Sequence, residues 1–275
     1  MCDVLAVSRS GYYAWKSRGQ SNHSRADTVL LSKIRGIYDK HRKVYGAPRI
    51  HEALKSEGLQ LGRKRVARLM RKNGIVAAPH RRMRWKRVFK TAVAADNLVQ
   101  RQFHVPEPNR VWVADMTTFW TGSGWVHLAV VLDLCSRRIV GWAIHGQMTE
   151  RLIVDALEMA IESRRPTGSL IHHSDQGSQY RSYAFQARLK EHNIQMSMSR
   201  KGNCWDNAVV ESFFKTLKYE LQNDARFNSR EEARAQLFEY IEIFYNRKRM
   251  HSTLGYLSPT QFEAKLPALV STKTG

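Results

Sequence analysis

Residues 111–134 constrain the fold more than any other stretch of the chain, because they hold two long β-type segments around a glycine turn. In VWVADMTTFW, which begins at Val111, the side chains alternate between two faces as they do in a strand. GSG at 122–124 predicts a hairpin turn, and WVHLAVVLDL at 125–134 predicts the partner strand. Asp115 lies in the middle of the first strand among apolar neighbours. Since a buried carboxylate is costly unless it is paired or liganded, Asp115 is the first candidate functional residue.

The segments after the hairpin predict further strands and helices in alternation. A third strand is expected at 139–146, a helix at 149–163, a fourth strand at 168–175, a helix at 182–193 and a fifth strand at 194–199. Three antiparallel strands followed by helix–strand units predict an α/β protein with a mixed sheet flanked by helices. A ribonuclease-H-like core has this order of elements.

Positive charge is concentrated ahead of the predicted sheet. Residues 1–100 carry 23 Lys and Arg against 6 Asp and Glu, whereas the remaining residues carry 22 against 18. A block this basic is typical of a chain that binds a polyanion, most often nucleic acid, because each neutralised phosphate releases counterions. The alternative is a basic surface that serves only solubility.

The front of the chain predicts a small all-α domain with helices at 29–43, 47–58 and 62–74. The third helix buries Val66, Leu69 and Met70 and surrounds them with cations. These cations are Arg63, Lys64, Arg65, Arg68, Arg71 and Lys72. The arrangement predicts a helix-turn-helix domain whose third helix enters the major groove of DNA. A helical bundle with a solvated basic face is the alternative.

Two further acids have positions that suit a shared site. Asp175 ends the fourth predicted strand, in IHHSDQGSQY, and would lie beside Asp115 if the first and fourth strands are neighbours. Glu211 lies on a later helix, where Asn207, Glu211, Lys215 and Lys218 share a face predicted to point away from the core and to grip phosphate.

Each acid has a simpler structural explanation when it is taken alone. Asp115 could make a buried hydrogen bond, Asp175 could cap a turn, and Glu211 could pair with Lys215. Together, two Asp and one Glu predict a site for two divalent cations, Mg²⁺ or Mn²⁺, which prefer hard oxygen ligands. Asp133 is predicted to hold a turn instead, and Asp155 to be exposed on a helix.

Other classes of protein find little support in the sequence. The three cysteines are isolated and form no CxxC pair, so neither a disulfide framework nor a zinc module is predicted. There is no apolar run of 18 residues, and the first 15 residues are too short and mixed for a signal peptide. A cytoplasmic location is the expectation.

Several segments resemble the downstream-frame (OrfB-type) transposases of two-reading-frame bacterial insertion sequences, which belong to the DDE retroviral-integrase superfamily. These segments are VWVADMTTF, VVLDLCSRRIVGWAI, IHHSDQGSQYRS, RKGNCWDNAVVESFFKTLKYEL and FYNRKRMHSTLGYLSPTQFE. Residues 25–82 also resemble the helix-turn-helix segment of that family. The 35 residues between Asp175 and Glu211 match the short final spacing of the family. The resemblance therefore covers almost the whole chain.

The resemblance implies that Asp115, Asp175 and Glu211 form a catalytic triad that binds two Mg²⁺ ions, with Mn²⁺ able to substitute. It implies that Lys218 contacts the terminal DNA of the element. The expected reaction nicks double-stranded DNA at the element ends and transfers the 3′-hydroxyl to target DNA. The expected partners are a second copy of the chain and an upstream-frame protein. The alternatives are a non-catalytic DNA-binding regulator and a ribonuclease-H-like nuclease that does not join DNA.

The predicted organisation has five parts. They are an N-terminal helical segment (1–24), a helix-turn-helix-like DNA-binding domain (25–83), a basic linker (84–105), a ribonuclease-H-like integrase catalytic core (106–228) and a C-terminal helical extension (229–275). In the extension, Phe238, Ile241, Phe244 and Tyr245 are expected to pack on the core. Arg247, Lys248 and Arg249 are expected to face DNA.

Overall fold

The helices and strands below come from a computed structural model, which describes residues 2, 4–17, 19, 21–77, 95–99, 105–199, 207–221 and 227–271. The chain divides into two compact units, Met1–Pro79 and His80–Gly275. Most of the predicted basic linker, 84–105, lies outside the described residues. Within the part of the chain described, none of the helices combines the length and apolar character needed to cross a membrane.

The first unit is helical, as the sequence predicts. Its helices are α1 (Arg9–Ser17), α2 (Asn22–Lys40), α3 (Ala47–Ser56) and α4 (Arg63–Lys72). Helix α2 begins seven residues earlier than predicted because the Ser21 hydroxyl accepts a hydrogen bond from the Ser24 N–H (3.1 Å) and caps the helix there. The buried side chains of α2, α3 and α4, including Ile34, Ile50 and Val66, form the core of this unit.

The second unit is built on a sheet of five strands within the described residues. The strands are β1 (Val111–Thr121), β2 (Gly124–Asp133), β3 (Ile139–His145), β4 (Leu170–Ser174) and β5 (Ile194–Met198). Their order across the sheet is β3-β2-β1-β4-β5, with the first three antiparallel and with β4 parallel to both β1 and β5. This order and the mixed directions are those of the ribonuclease-H-like core that the sequence predicts.

Helices follow the strands in the predicted alternation. They are α5 (Glu150–Arg164), α6 (Tyr183–Glu191), α7 (Ala208–Leu221), α8 (Arg230–Phe238), which continues as a π-helical segment (Glu239–Tyr245), and α9 (Pro259–Ser271). Helix α5 packs on β2 and β3, α6 packs on β5, α7 packs on β1, and α8 packs on β2. A core of apolar side chains joins the sheet to α5 and α6.

A glycine in β3 sets the distance between the sheet and α5. A Cβ atom added at Gly141 would lie 2.1 Å from the Ala156 carbonyl oxygen and 2.7 Å from the Ala160 Cβ. Helix α5 therefore approaches the strand more closely than any larger side chain at this position would allow.

Two findings alter the expected organisation around the core. Residues 95–99, placed by sequence in the linker, lie against β5, where the Leu98 N–H donates to the Ser197 hydroxyl (3.0 Å). In the C-terminal extension Ile241, Phe244 and Tyr245 are buried as predicted. Phe238 makes an edge contact with Trp142 of β3, with ring centres 6.0 Å apart, but it is 49% exposed and so lies at the margin of the core.

Arg249 is also placed differently from the prediction, because it is buried rather than directed toward DNA. Its guanidinium donates to both carboxylate oxygens of Glu220 in α7, at 2.8–3.0 Å. The Tyr240 hydroxyl donates to the same carboxylate (2.7 Å). A charge this deep requires a partner, and Glu220 supplies it from an element 29 residues away. Arg247 and Lys248 are exposed, as expected.

Candidate active site

The strand order places Asp115 and Asp175 on neighbouring strands. Strand β1 pairs with β4 in parallel, with Val111 opposite Ile171 and Val113 opposite His173. Continued by two residues, this register brings Asp115 level with Asp175, which follows the last residue of β4. Neighbouring strands lie about 4.8 Å apart, so the two carboxylates share one edge of the sheet, as predicted.

The electrostatics of Asp115 show that acids gather around it. Its side chain is half-buried, and its Oδ1 accepts a hydrogen bond from the Met116 N–H (2.7 Å). Burial raises the pKa of Asp115 well above its ordinary value, and the carboxylates of Asp175 and Glu211 raise it further, while Lys218 acts in the opposite direction. Asp175 and Glu211 therefore lie close enough to Asp115 to raise its pKa.

Asp175 lies in a turn that holds its carboxylate in place. The Gly177 N–H donates to Asp175 Oδ1 (2.9 Å), and the Ser174 hydroxyl donates to the Asp175 carbonyl oxygen (3.1 Å). Asp175 keeps an exposed surface, but desolvation of its carboxylate raises the pKa of the residue. The hydrogen bond from the Gly177 N–H and the charge of Arg181 act in the opposite direction. The turn-cap explanation and a site at the strand end are thus compatible.

Glu211 lies in the first turn of α7 and remains partly exposed. Its Oε2 is 3.8 Å from Lys215 Nζ, and the two side chains are 35% and 55% exposed. The ion pair that the sequence offered as the simpler explanation is therefore present, beside the electrostatic contact with Asp115. Lys215 is the exposed cation of this face.

The prediction that Asn207 and Lys218 point away from the core with Glu211 is wrong, because this face of α7 packs on β1. Asn207 is 4% exposed, and its amide donates to the Ala114 carbonyl oxygen (3.2 Å), next to Asp115. Lys218 is 8% exposed, and its ammonium lies 5.4 Å from the centre of the Phe119 ring. Burial lowers the pKa of Lys218 to about 8, and the Asp115 carboxylate opposes this change.

Tyr180 is a member of this region that sequence reasoning did not identify. Its side chain is 1% exposed, and its buried hydroxyl has no hydrogen-bond partner among the described residues. Burial raises the pKa of Tyr180 well above its usual value, and Asp115 and Asp175 raise it further. The signal in the sequence is the glycine at position 177, between Asp175 and Tyr180. A Cβ added there would contact both Asp175 Oδ1 (2.9 Å) and Tyr180 Cδ2 (3.5 Å), so the close approach of these residues favours glycine.

Carboxylate oxygens, which Asp115, Asp175 and Glu211 supply, are the ligands that a hard divalent cation prefers. In this structure the three side chains do not surround a single point. The Asp175 and Glu211 carboxylates both act on Asp115, and such a concentration of negative charge is relieved by a cation. Among the residues described, no group of three His, Cys, Asp or Glu side chains stands arranged to hold a metal ion. Glu211 Oε2 also lies 3.8 Å from Lys215 Nζ.

The predicted DNA-binding helix, α4, keeps only part of its predicted free charge. Arg63, Lys64, Arg71 and Lys72 are exposed, and Val66, Leu69 and Met70 are buried, as predicted. Arg65 and Arg68 are held by Asp27 of α2, with Arg65 Nε 2.8 Å from one carboxylate oxygen and Arg68 NH2 2.6 Å from the other. The two arginines lower the pKa of Asp27, as expected for a carboxylate that forms an ion pair with each of them.

The two remaining acids serve local structure. Asp133 accepts hydrogen bonds from the backbone N–H groups of Asn109 (2.6 Å), Cys135 (3.0 Å) and Ser136 (2.9 Å), so it holds the turn after β2, as predicted. Asp155 pairs with Arg151 (2.7 Å) and His145 (3.0 Å) and is only 30% exposed.

Comparison with known proteins gives matches over both units. A family model described as an integrase core domain matches residues 105–204, a second integrase core domain model matches 192–259, and an HTH-like domain model matches 24–83. The insertion element IS600 uncharacterized 31 kDa protein of Shigella sonnei is 42% identical over 272 residues, which cover 96% of this chain and 98% of that protein. The transposase InsF for insertion sequence IS3A of Escherichia coli K12 is also 42% identical, over 96% of this chain and 93% of that protein.

Among solved structures, a chain of the simian T-cell lymphotropic virus intasome in complex with PP2A regulatory subunit B56 gamma is similar with a TM-score of 0.48. It is 16% identical, and the match covers 77% of this chain and 69% of that one. The catalytic domain of Mos1 mariner transposase has a TM-score of 0.43 and 14% identity, over 49% of this chain and 71% of that one.

A ribonuclease-H-like sheet with acids on adjacent strands, preceded by an HTH-like unit, defines an integrase-core protein. The extent and identity of the matches to insertion-sequence proteins narrow this class. The chain belongs to the family of insertion-sequence transposases that includes InsF of IS3. It is an enzyme of the DDE polynucleotidyl-transferase class with DNA transposition as its function.

Proposed function

We propose that Asp115, Asp175 and Glu211 are the catalytic triad of this transposase and that they hold two divalent cations, Mg²⁺ or, in substitution, Mn²⁺. The observation that carries the proposal is the parallel register of β1 and β4, which brings Asp115 level with Asp175, and the raised pKa of Asp115, to which both other acids contribute, agrees with it. A bound pair of such ions would activate the attacking oxygen and stabilise the leaving oxygen in a phosphodiester exchange.

The residues of this chain would prepare the site for that exchange. Asp115 presents its carboxylate from β1, Asp175 presents its carboxylate from the turn after β4, and Glu211 approaches from the first turn of α7. The Asn207 amide ties the start of α7 to the Ala114 carbonyl oxygen, so it supports the placement of Glu211 beside Asp115. Lys218 supplies a buried positive charge that partly balances Asp115. This role replaces the direct DNA contact that the sequence suggested for Asn207 and Lys218.

The proposed reaction has two steps on double-stranded DNA. A water molecule attacks the phosphodiester at the end of the element and releases a 3′-hydroxyl. That hydroxyl then attacks a phosphodiester of target DNA and displaces a 3′-oxygen, so one bond forms as one breaks and no covalent protein intermediate is required. Lys215, exposed beside Glu211, and the exposed cations of α4 are proposed to contact phosphate.

The proposed setting of this reaction includes partners. Two DNA ends must be brought together, so at least a second copy of the chain is expected in the reacting complex. A protein from an upstream reading frame is a further proposed partner. The reaction is expected in the cytoplasm, on nucleoid DNA, with no role for a membrane.

The test uses a labelled duplex carrying the terminal repeat of the element that encodes the chain, with a supercoiled plasmid as target. Asp175→Asn is expected to bind the duplex as the wild type does and to lose Mg²⁺-dependent nicking and joining. Asp155→Asn is the matched control, because it makes the same change on α5, where the acid pairs with Arg151 and His145. Joined product from Asp175→Asn would overturn the proposed triad.

The same assay separates the two other functions. Nicked product without joined product from the wild-type chain would indicate a nuclease. Duplex binding that is insensitive to EDTA, with neither product, would indicate a DNA-binding regulator.

A further inference from the structure

Tyr180 combines three properties that a packing residue does not need. Its side chain is buried, its hydroxyl has no hydrogen-bond partner among the described residues, and the two aspartates of the site both act on it. A buried hydroxyl without a partner costs about 1–3 kcal/mol relative to one that is satisfied. A phenylalanine would fill the same space without this cost, so the hydroxyl requires an explanation.

The ring of Tyr180 is held in place from several sides. It makes an edge contact with Phe185, with ring centres 5.5 Å apart and planes at 80°, and it lies 6.2 Å from the His172 ring. Gly177 lies between the ring and the Asp175 carboxylate, as the two contacts of its added Cβ show, at 3.5 and 2.9 Å. The turn from Asp175 to Tyr180 thus folds back, so that the Tyr180 ring packs beside the glycine that contacts the Asp175 carboxylate.

The available partners for this hydroxyl are few. The neighbouring His172 is itself buried with both ring nitrogens unpartnered among the described residues, and burial lowers its pKa to about 3, so at working pH it offers only a neutral acceptor. Asp115 and Asp175 are the acceptors whose charge reaches the phenol. A hydrogen bond from a neutral donor to an ionised carboxylate is about twice as strong as one between neutral groups.

We propose that Tyr180 is a positioning residue of the active site, whose hydroxyl donates a hydrogen bond to the Asp115–Asp175 carboxylate pair when both are ionised to hold a divalent cation. The proposal rests on the proposed function of these acids. Metal ligands must be deprotonated, and a donor behind them both orients the carboxylates and favours the ionised form. The donor would act through the acids rather than on DNA.

The test compares Tyr180→Phe with Tyr183→Phe in the full-length chain. Tyr183 lies three residues further on and is 93% exposed, so it controls for the loss of one phenol hydroxyl. Binding of Mn²⁺ is measured without DNA by the electron paramagnetic resonance signal of the free ion during a MnCl₂ titration. Half-saturation of Tyr180→Phe is expected at about tenfold higher Mn²⁺, because partners behind metal ligands typically contribute tenfold or more to affinity.

Two further measurements separate positioning from structure. Thermal unfolding of Tyr180→Phe in EDTA is expected at the wild-type temperature or above it, since the hydroxyl has no partner among the described residues to lose and its burial is costly. The Mg²⁺ concentration for half-maximal strand transfer is expected to rise about tenfold, with a smaller loss of rate at saturating Mg²⁺. A MnCl₂ titration of Tyr180→Phe that superimposes on that of Tyr183→Phe would overturn the proposal. A clear fall in unfolding temperature in EDTA would do so as well, because it would assign the hydroxyl a structural role.

An Asp175→Asn arm keeps this proposal distinct from the one on which it rests. Loss of Mn²⁺ binding in Asp175→Asn together with wild-type binding in Tyr180→Phe would refute the role of Tyr180 alone. Undiminished Mn²⁺ binding and strand transfer in Asp175→Asn would refute the proposed metal site itself.

Discussion

The buried ion pair between Glu220 and Arg249 gives the sharpest prediction about stability. The two side chains are 3% and 8% exposed, and the pair is joined by three close contacts of 2.8–3.0 Å. Arg249→Met removes the cation and leaves the Glu220 carboxylate buried with only the Tyr240 hydroxyl. Breaking a buried pair from one side costs about 3–5 kcal/mol, so the free energy of unfolding should fall by that amount.

The double variant Glu220→Gln/Arg249→Met tests the origin of this loss. It removes both charges and keeps an amide oxygen that can accept from Tyr240. The double variant should therefore lose less stability than either single variant, because no unpaired charge stays buried. Arg110→Met is the matched control, since Arg110 and Glu107 are 44% and 60% exposed and such surface pairs contribute at most about 1 kcal/mol.

Urea unfolding followed by tryptophan fluorescence measures these free energies. Trp15 is the only tryptophan before residue 80, so the signal reports mainly on the second unit. A loss below about 1 kcal/mol in both single variants would contradict the reasoning, since that is the value of a surface pair. A double variant that loses the sum of the single losses would contradict it as well.

Three further predictions concern the acids and the DNA-binding unit. The pKa of Asp115 is raised in the folded protein above its ordinary value of 3.8. Between pH 3.8 and the raised pKa, the folded protein therefore binds more protons than the unfolded protein. The free energy of unfolding thus falls as the pH rises through this window. Asp115→Asn should therefore be more stable than wild type in EDTA at neutral pH, by about 1–3 kcal/mol in urea unfolding. The difference should vanish when the pH is below the ordinary pKa of an aspartate. A variant less stable than wild type at neutral pH would contradict this. Gly177→Ala places a Cβ 2.9 Å from Asp175 Oδ1, so the rate of strand transfer should fall about tenfold or more. The free energy of unfolding should change by less than about 1 kcal/mol. An unchanged rate of strand transfer would refute the importance of the turn. Asp27→Asn frees two arginines of α4, so the protein should bind a non-specific duplex more tightly. The slope of log K against log salt concentration, measured by fluorescence anisotropy, should steepen by about 1–2. An unchanged slope would place these arginines away from phosphate.

Local patterns in the sequence were sufficient to predict most elements and the arrangement of the sheet. The period-two segments at 111–134 became β1 and β2 nearly residue for residue, because alternation is a direct consequence of strand geometry. The order of strands and helices matched a ribonuclease-H-like core. The structure meets the condition set for the shared site, because β1 and β4 are neighbours and bring Asp115 and Asp175 to one edge. The start of α2 was missed because its cap, Ser21, lies ahead of the apolar pattern.

Which cations are free could not be predicted from these patterns. Arg65, Lys218 and Arg249 all look like exposed charges in the sequence, yet Arg65 is held by an acid 38 residues away and Arg249 by one 29 residues away. Lys218 is buried because its face of α7 packs on β1. Periodicity assigns a residue to a face of its own element, but it carries no information about which element covers that face.

The sequence by itself determined the class of fold and the basic character of the front unit, because these follow from local patterns and from composition. It also selected three candidate acids, through their positions and the family resemblance. Only the tertiary structure decided the surroundings of those acids. The amide of Asn207 and the ammonium of Lys218 come close to Asp115 because their face of α7 packs on β1, and the turn after β4 brings Tyr180 near Asp175. Contacts between segments distant in sequence are set when the core forms, and they decide how the carboxylates are charged and held.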